Sequence, residues 1–304
     1  MTNAKGARGC NPLVQGLLGV IQVLLQSTVN GIVLGSMVAL ASLGLTLIWG
    51  VERFPNIAQG DFLTLAAYLT FAFNVFFAFP LGVAAIVGIV VTAGIVLLVY
   101  RVAFRPLRRS PTVALFGASI GVALMIRGMI GFIWGTELKN FRLPVMRDLS
   151  FSIVRVNPID LAVVAGATVL VALLYALVHG TRIGAEMRAV ADVPELARVS
   201  GIDSERVLRI TWMVAGLVTA AAGVLLGAKI DVDPLLGWRL LLAMFAATTL
   251  GGVGSLPGAV VGGIVIGVAM EVSTVWISPT YKVAVAFGFL SLVLLIRPRG
   301  LFAK

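Results

Sequence analysis

The chain has 304 residues, of which 60% are hydrophobic and 12% charged, and its mean hydropathy is +1.06. Soluble globular domains carry about twice that share of charge, so this composition excludes a soluble protein built around one core. The net charge of +10 does not indicate nucleic-acid binding, because excess lysine and arginine in a membrane protein usually reports its orientation. The single cysteine, Cys10, excludes an intrachain disulfide framework and a cysteine zinc site. The single histidine, His179, argues against a histidine-rich metal site or a Ser-His-Asp triad, and we interpret it as a helix-end residue near the membrane surface.

Continuous apolar runs of membrane length recur along the chain and predict transmembrane helices. Alternating segments of about ten residues, which a β-barrel requires, are not the pattern here. The first run, 12–50, follows Lys5 and Arg8 and is either one long helix with an amphipathic lead-in or two spans broken near Asn30 and Gly31. It continues far beyond a signal-peptide core without an early cleavage site, so we interpret it as a retained first span.

Further spans complete a single transmembrane domain, 1–304. We expect them at about 57–79, 81–100, 112–135, 159–179, 207–228, 240–256, 258–277 and 281–296. The sequence therefore predicts an all-α polytopic membrane protein with eight to nine transmembrane helices.

Charged residues between the spans predict the orientation. The loop 101–110 contains four arginines and no acidic residue, and we expect it on the cytoplasmic side. Counting spans from this loop places the mixed-charge loop 136–158 outside and the segment 182–209 in the cytoplasm. The same count places the C-terminal tail inside, in agreement with its positive residues, Arg297, Arg299 and Lys304.

Glycines recur at a spacing of four residues, at positions 31 and 35, 223 and 227, and 254, 258 and 262. Small residues at this spacing allow helix backbones to approach closely in lipid, where hydrophobicity no longer drives helix association. The pattern indicates helix packing, and it is also compatible with close, mobile contacts that line a translocation path.

Motifs of catalysis are missing from the sequence. It has no G-x-x-x-x-G-K-[ST] phosphate loop, and the stretch "GGVGSLPGAVVGG" has the glycines without the lysine. Motifs of the forms H-E-x-x-H, C-x-x-C and G-x-S-x-G are also absent. We therefore expect a protein that is not an enzyme, binds no cofactor itself, and hydrolyses no ATP with a site of its own.

Polar groups inside the predicted spans are candidate functional residues, because they are costly at membrane depth. Arg127 lies within two turns of the end of its span, so it either snorkels to the surface, pairs with another subunit, or takes part in transport. Pro55 breaks the preceding helix, and the polar residues Asn56, Gln59 and Asp61 then open the next one. This stretch is either a simple N-cap at Asn56 or a broken helix that directs its N-terminus at a polar substrate.

The densest cluster of charge, "MRAVADVPELARVSGIDSER", lies in the predicted cytoplasmic segment at 187–206. The surrounding stretch 182–209 holds five basic and five acidic residues, so its charge is balanced, whereas a lipid-binding segment is polybasic. Pro194 suits a first helical turn, Asp192 and Glu195 have capping-box spacing, and Gly201 suits a left-handed residue after the helix. These signals predict a short helix at 193–199, with Asp203 or Ser204 capping the next helix. Leu196, Val199 and Ile202 would give this short helix an apolar side, and Glu195 and Arg198 share one of its faces. The balanced charge of the segment favours docking of another protein.

Nearly the whole chain resembles the branched-chain amino-acid permease family of ABC transporters, of the LivH type. The residues that carry the resemblance are "NGIVLGSMVALASLGLTLIWGVERFPNIAQGDF", "GAEMRAVADVPELARVSGI", "TWMVAGLVTAAAGVLLG", "LGGVGSLPGAVVGGIVIGVAMEV" and "LLIRPRGLF", in this order. The resemblance implies an ABC importer permease fold with a short cytoplasmic coupling helix, in a segment at about 182–206. It also implies the residues that contact the ATPase: Arg188, Ala189, Asp192, Glu195, Ala197, Arg198 and Gly201.

The resemblance further implies a substrate path. Asn56, Gln59, Gly60 and Asp61 match a family element written Asn-Phe-Ala-His-Gly-Glu, and we add Asn30 as a further polar residue of this path. The chain departs from that element, with Ile57, Gln59 and Asp61 at the positions of Phe, His and Glu. These departures leave the substrate open between branched-chain or other hydrophobic amino acids and urea, short amides or small organic acids.

The implied assembly is a bacterial inner-membrane importer. It combines this chain with a second, homologous permease as a heterodimer, two ATPase subunits that bind ATP and Mg²⁺, and an extracytoplasmic substrate-binding protein, within membrane lipid and without nucleic acid. A stand-alone secondary transporter or channel is the alternative from a different class. It would need intramembrane acids for ion coupling, for which Glu271 is the best candidate.

Overall fold

A computed structural model describes residues 12–142, 149–151, 154–296 and 300–301. Several residues used above lie outside these ranges: Lys5, Arg8, Cys10, Arg297, Arg299 and Lys304. The predictions that the N-terminal charges and the C-terminal tail carry therefore concern the part of the chain that is not described.

The described residues are almost entirely helical. The helices are α1 (Pro12–Glu52), α2 (Ala58–Val75), α3 (Leu81–Val99), α4 (Arg105–Leu107), α5 (Thr112–Trp134), α6 (Pro158–Gly180), α7 (Arg182–Asp192), α8 (Pro194–Val199), α9 (Ser204–Lys229), α10 (Leu236–Gly251), α11 (Leu256–Ser273) and α12 (Lys282–Ile296). A π-helical turn, Tyr100–Phe104, joins α3 to α4, and a 3₁₀ turn, Pro279–Tyr281, precedes α12. The loop before α6 contains a small antiparallel hairpin of β1 (Leu149–Phe151) and β2 (Val154–Val156), which the sequence reading did not anticipate.

Seven helical stretches of the described residues are long and apolar enough to cross a membrane: Gly19–Glu52, Leu81–Leu107, Thr112–Trp134, Pro158–Gly180, Ser204–Lys229, Leu256–Ser273 and Pro279–Ile296. Two further helices complete the bundle, since α10 is apolar but shorter and α2 has 18 residues with a polar first turn. The prediction of an all-α membrane protein with eight to nine spans is confirmed.

The N-terminal apolar run forms one helix, so the alternative of two spans broken near Asn30 and Gly31 is wrong. Its 41 residues extend about 60 Å at 1.5 Å per residue, which is longer than the hydrocarbon core of about 30 Å. The helix continues through Asn30, whose side-chain oxygen accepts a hydrogen bond from Gln26 (3.2 Å) one turn earlier. Gly31 serves helix packing: a Cβ atom there would lie 2.7 Å from the Cα of Val268 in α11.

The glycines spaced four residues apart lie at contacts between helices, as the helix-packing interpretation predicts. Along the seam between α1 and α11, a Cβ atom on Gly35 would lie 2.8 Å from the Cα of Ile264. Gly223 of α9 lies against the backbone of Leu63 in α2, and Gly262 of α11 against Ala247 in α10. At such distances only glycine allows the backbones to come together, and these contacts hold α1, α2, α9, α10 and α11 as the centre of the bundle.

The loops predicted on one side of the membrane meet at the same end of the bundle. Arg105 and Arg108, which follow α3, both pair with Glu205 at the start of α9 (2.7 and 3.5 Å). We call this the arginine-rich end. At the opposite end, Lys139 and Val232 exchange two backbone hydrogen bonds (2.8 and 2.9 Å), joining two segments predicted to be external.

Candidate functional site: the polar start of α2 and the coupling segment

The break between α1 and α2 is held in a fixed, unusual conformation. Arg53 follows the last residue of α1 and has a φ of 57°, a left-handed backbone that non-glycine residues seldom adopt. Phe54 is buried and stacks on Phe104 of the π-helical turn, with ring centroids 5.7 Å apart. Glu52 accepts a hydrogen bond from the indole of Trp212 in α9 (3.1 Å). The break is therefore tied to α9 and to the turn after α3.

The residues after the break lie deep within the bundle. The backbone N–H of Ile57 donates to Ser119 of α5 (3.2 Å), and Asp61 meets Arg127 of the same helix. Ser119 and Arg127 lie about 10 Å and about 22 Å along α5 from Thr112, at 1.5 Å per residue. Since α5 is a predicted span of 23 residues, the stretch 57–61 lies beside its central part, whereas Arg53 and Phe54 lie at the arginine-rich end.

Asn56 and Gln59 are buried and hydrogen-bonded to each other and to neighbouring helices. The Asn56 side chain accepts from the backbone of Ala58 (3.1 Å) and donates to Gln59 (3.4 Å), and Gln59 donates to the Thr219 hydroxyl of α9. Ile57, the residue before Ala58, already has helical φ and ψ angles and makes no side-chain cap. The Asn56 side-chain oxygen caps the first turn of α2, in agreement with the N-cap interpretation.

Gly60 and Asn30 make different contacts from those of Asn56 and Gln59. Gly60 lies against Gly237 at the start of α10, where a Cβ atom would be 2.6 Å from the Gly237 carbonyl oxygen. Asn30 does not join the cluster: it bonds to Gln26, which in turn bonds to the backbone of Arg155 near the opposite end of the bundle. The structure thus brings Asn56, Gln59, Gly60 and Asp61 together and leaves Asn30 apart.

Arg127 pairs with Asp61 inside the same chain. Its Nε and Nη2 donate to the two carboxylate oxygens of Asp61, each at 3.1 Å. The guanidinium carbon also lies 4.7 Å from the ring centre of Trp238 in α10, within the range of a cation–π contact. The snorkelling interpretation of Arg127 is therefore wrong, because its charge is turned onto α2 and α10. The sequence carried a signal for this pair: two charges of opposite sign lie deep in nearby spans.

The coupling segment consists of two helices where the sequence predicted one. α7 continues through Asp192, so Asp192 ends a helix instead of capping the next, and the capping-box prediction is wrong. Val193 occupies the N-cap position of α8 and makes no side-chain cap hydrogen bond. The short helix itself, predicted at 193–199, is observed as α8.

The end of α8 and the start of α9 form as predicted. Gly201 has a φ of 83°, and the N–H of Ile202 bonds to the carbonyl of Ala197 (3.0 Å) while that of Gly201 bonds to Arg198 (3.1 Å). This is the complete Schellman arrangement. Asp203 caps α9, since its carboxylate accepts from the N–H groups of the second and third residues that follow it.

The surface of α8 is exposed at the arginine-rich end. Ala197 faces the bundle and is buried, whereas Leu196 and Val199 are exposed, Val199 to 86%. Glu195 and Arg198 are both exposed, and no ion pair joins them in the described part of the chain. The remaining predicted contacts lie on α7, where Arg188 is exposed and Ala189 half-buried. The segment therefore presents unpaired charge of both signs beside apolar side chains.

Arg53 connects the coupling segment to the break between α1 and α2. Its Nη2 donates to the carbonyls of Ala191 and Asp192 at the end of α7 (3.3 Å each). Arg188 of α7 also donates to the carbonyl of Val178 in α6. A cavity of about 720 Å³ lies between these elements and the start of α11. The sequence analysis did not select Arg53, whose signals were its charge at the end of a span and its position two residues before Pro55.

These features define a multi-pass membrane permease, and comparison with known sequences gives its family. Residues 27–295 match the family described as "Branched-chain amino acid transport system / permease component", and the chain belongs to this family. The high-affinity branched-chain amino acid permease proteins LivH of Escherichia coli K12 and BraD of Pseudomonas aeruginosa are 31% and 29% identical to it. Each alignment covers 92% of this chain and 96% of the relative.

A solved structure shares the fold. A chain of PsaBC from Streptococcus pneumoniae in complex with Fab superimposes with a TM-score of 0.51 at 15% identity, covering 91% of this chain and 92% of that chain. At this identity the similarity concerns the fold alone. It agrees with the permease fold that the resemblance implied, and the family match confirms the resemblance itself.

Proposed function

We propose that this chain is one of two permease subunits of an ATP-driven importer that moves branched-chain or other hydrophobic amino acids across the bacterial inner membrane. Family membership supports the permease role, and the names of the LivH and BraD relatives support the substrate class. The observation that carries the proposal is the Arg53 contact, because it ties an exposed docking segment to the break that precedes the polar first turn of α2.

The ATPase subunits bind α7 and α8. Exposed Leu196 and Val199 offer an apolar anchor, and Glu195 and Arg198 offer charges that a partner can pair. A movement of α8 passes through α7 to Arg53, and from Arg53 to the first turn of α2. Nucleotide and Mg²⁺ belong to the ATPases, so this chain needs no cofactor of its own.

The remaining partners follow from a permease of this kind. A second, homologous permease completes the passage, and a substrate-binding protein delivers amino acids at the end of the bundle that carries β1 and β2. The arginine-rich end and the C-terminus face the cytoplasm, because excess arginine marks the cytoplasmic side.

A stand-alone secondary transporter is less consistent with the described spans. Glu271, the acid expected for ion coupling, forms an ion pair with Lys282 (2.6 Å), and the deeper acid Asp61 is held by Arg127. A paired acid at the end of α11 is not placed to carry ions through the membrane.

Reversal of one exposed charge on α8 tests the docking claim. Glu195→Arg should abolish co-purification of the ATPase subunits and ATP-driven uptake of L-leucine in proteoliposomes, while insertion of the permease into the membrane stays normal. Glu137→Arg is the matched control for membrane insertion and ATPase co-purification, because Glu137 is exposed to 86% at the opposite end and its reversal removes only the contact with Lys139 (3.5 Å). If Glu195→Arg assembles and transports like the unmodified complex, the ATPases do not dock on this surface.

A further inference from the structure

Arg127 has an unused hydrogen-bonding edge in the middle of the membrane. Its Nε and Nη2 are occupied by Asp61, whereas Nη1 bonds to no residue in the described ranges. The side chain of Arg127 is 19% exposed, and Asp61 behind it is completely buried. The two charges of the pair therefore cancel. The part of the pair that reaches the surface of the subunit is the guanidinium of Arg127.

The location of this edge excludes lipid as its natural neighbour. Arg127 lies about 22 Å along α5 from Thr112 and about 10 Å from Trp134 at the other end, too deep for the headgroups when its fork is turned onto Asp61. A guanidinium edge facing hydrocarbon is strongly unfavourable, and such groups usually line water-filled passages or contact protein. The surface around Arg127 is therefore part of a passage or of the contact with the second permease.

The surroundings of the edge suit a small organic carboxylate. An arginine fork binds carboxylates with fixed geometry, and Asp61 fixes the orientation of this fork. Trp238, 42% exposed, covers one face of the guanidinium and offers an apolar wall beside it. Three elements, α2, α5 and α10, thus converge on one cationic edge next to an aromatic surface.

We propose that Nη1 of Arg127 binds the carboxylate of the substrate on its way through the membrane, with Asp61 acting as the positioning residue and Trp238 as the adjoining wall. This inference rests on the proposed function, because it takes the passage to conduct amino acids. It narrows the substrate class to molecules with a carboxylate and excludes urea and simple amides as principal substrates.

Saturation-transfer NMR on the permease pair with its ATPases in lipid nanodiscs, without the substrate-binding protein, tests the proposal with two probes. L-leucine and L-leucinamide share the ammonium group and the side chain, but only leucine has a carboxylate. We expect the unmodified complex to bind leucine about tenfold or more tightly than leucinamide, the discrimination expected of a charged hydrogen bond. In the double variant Arg127→Gln with Asp61→Asn, which leaves no unpaired charge behind, the ratio should fall to near one.

Matched variants separate recognition from folding. Arg101→Gln removes an exposed arginine of the π-helical turn and should leave the ratio unchanged. Arg127→Lys keeps the charge next to Asp61 but removes the fork, and should lower the ratio. Asp61→Asn alone should lower the ratio of leucine to leucinamide binding. Asp61→Glu can still hold the guanidinium and should therefore keep a higher ratio than Asp61→Asn.

Three results would overturn the proposal: equal binding of leucine and leucinamide by the unmodified complex, absence of a leucine signal, or an unchanged ratio in both the double variant and Arg127→Lys. Uptake measured with the unmodified transporter distinguishes failure of the Arg127 proposal from failure of the proposed function. Import of 4-methylpentanoate in place of leucine would contradict the amino-acid substrate and leave the carboxylate site standing. Import of urea or leucinamide alone would contradict both.

Discussion

Removal of one member of the Arg127–Asp61 pair should destabilise the protein far more than removal of both. Two hydrogen bonds of 3.1 Å join the side chains, and the Asp61 carboxylate is fully buried. At this distance and an effective dielectric constant of about 20, the attraction between unit charges is about 5 kcal/mol. Most of it offsets the loss of hydration, so the pair adds little net stability, but a partner left alone keeps the whole desolvation cost.

The expected magnitudes follow from that asymmetry. Asp61→Asn or Arg127→Gln alone should lower the free energy of unfolding by about 3–5 kcal/mol, because each leaves one charge buried without its partner. The double variant should lose much less than the sum of the two single variants. The Lys139–Glu137 pair is the control, since the Glu137 side chain is 86% exposed, and breaking it should cost about 0–1 kcal/mol.

Equilibrium unfolding in mixed detergent micelles, followed by circular dichroism, gives the four free energies of this double-mutant cycle. A coupling energy of several kcal/mol for Arg127 and Asp61, and one below about 1 kcal/mol for the control pair, is the expected outcome. Additive single variants at Arg127 and Asp61 would refute the reasoning, because they would show that the two charges do not depend on each other.

The other predictions concern packing, coupling and capping. Gly35→Ala should lower the free energy of unfolding by about 1–3 kcal/mol in the same assay, because its Cβ atom would lie 2.8 Å from the Cα of Ile264. Gly94→Ala is the control: its Cβ atom would meet nothing within 4 Å, so it should be neutral or slightly stabilising. Arg53→Gln should reduce ATP-driven leucine uptake severalfold while ATPase binding, measured by co-purification, stays normal, since only the link to Ala191 and Asp192 is lost. Asp203→Ala should lower the unfolding free energy by about 1 kcal/mol through loss of the α9 cap. Equal effects at Gly35 and Gly94, or full uptake with Arg53→Gln, would contradict these statements.

The sequence predicted those parts of the coupling segment whose conformation depends on residues within the same turn. Gly201 and Asp203 act on their own turns, so the end of α8 and the cap of α9 were readable from residue type and spacing. Asp192 was misread because α7 continues further than its sequence requires. Met187 and Val190 of α7 are buried against the bundle, and this tertiary packing keeps the chain helical up to Asp192.

The N-terminal helix shows the same distinction. A polar residue followed by glycine usually marks a break, and Asn30 with Gly31 offered one in an apolar run that seemed too long. Gly31 is there to let α11 approach, which only the contact with Val268 reveals. A sequence without its three-dimensional contacts does not distinguish a glycine that bends a helix from one that packs it.

The mid-membrane site was partly predictable. Asn56, Gln59 and Asp61 stood out as polar residues at a helix break, and Arg127 as a charge within a span. Their partnership was not predicted, because the pair joins residues 66 positions apart and depends on how α2 and α5 pack. Opposite charges buried in two nearby spans were the available signal, since neither is stable there alone.

ATP-driven transport tests the central claim most directly. Radiolabelled L-leucine uptake should be measured in proteoliposomes that contain this chain with its partner permease, with and without the ATPase subunits, in the presence of the substrate-binding protein. The account predicts uptake only when the ATPases and ATP are both present, with none by the permease pair alone. Leucine uptake by the permease pair without ATPases, at the rate of the complete complex, would contradict it.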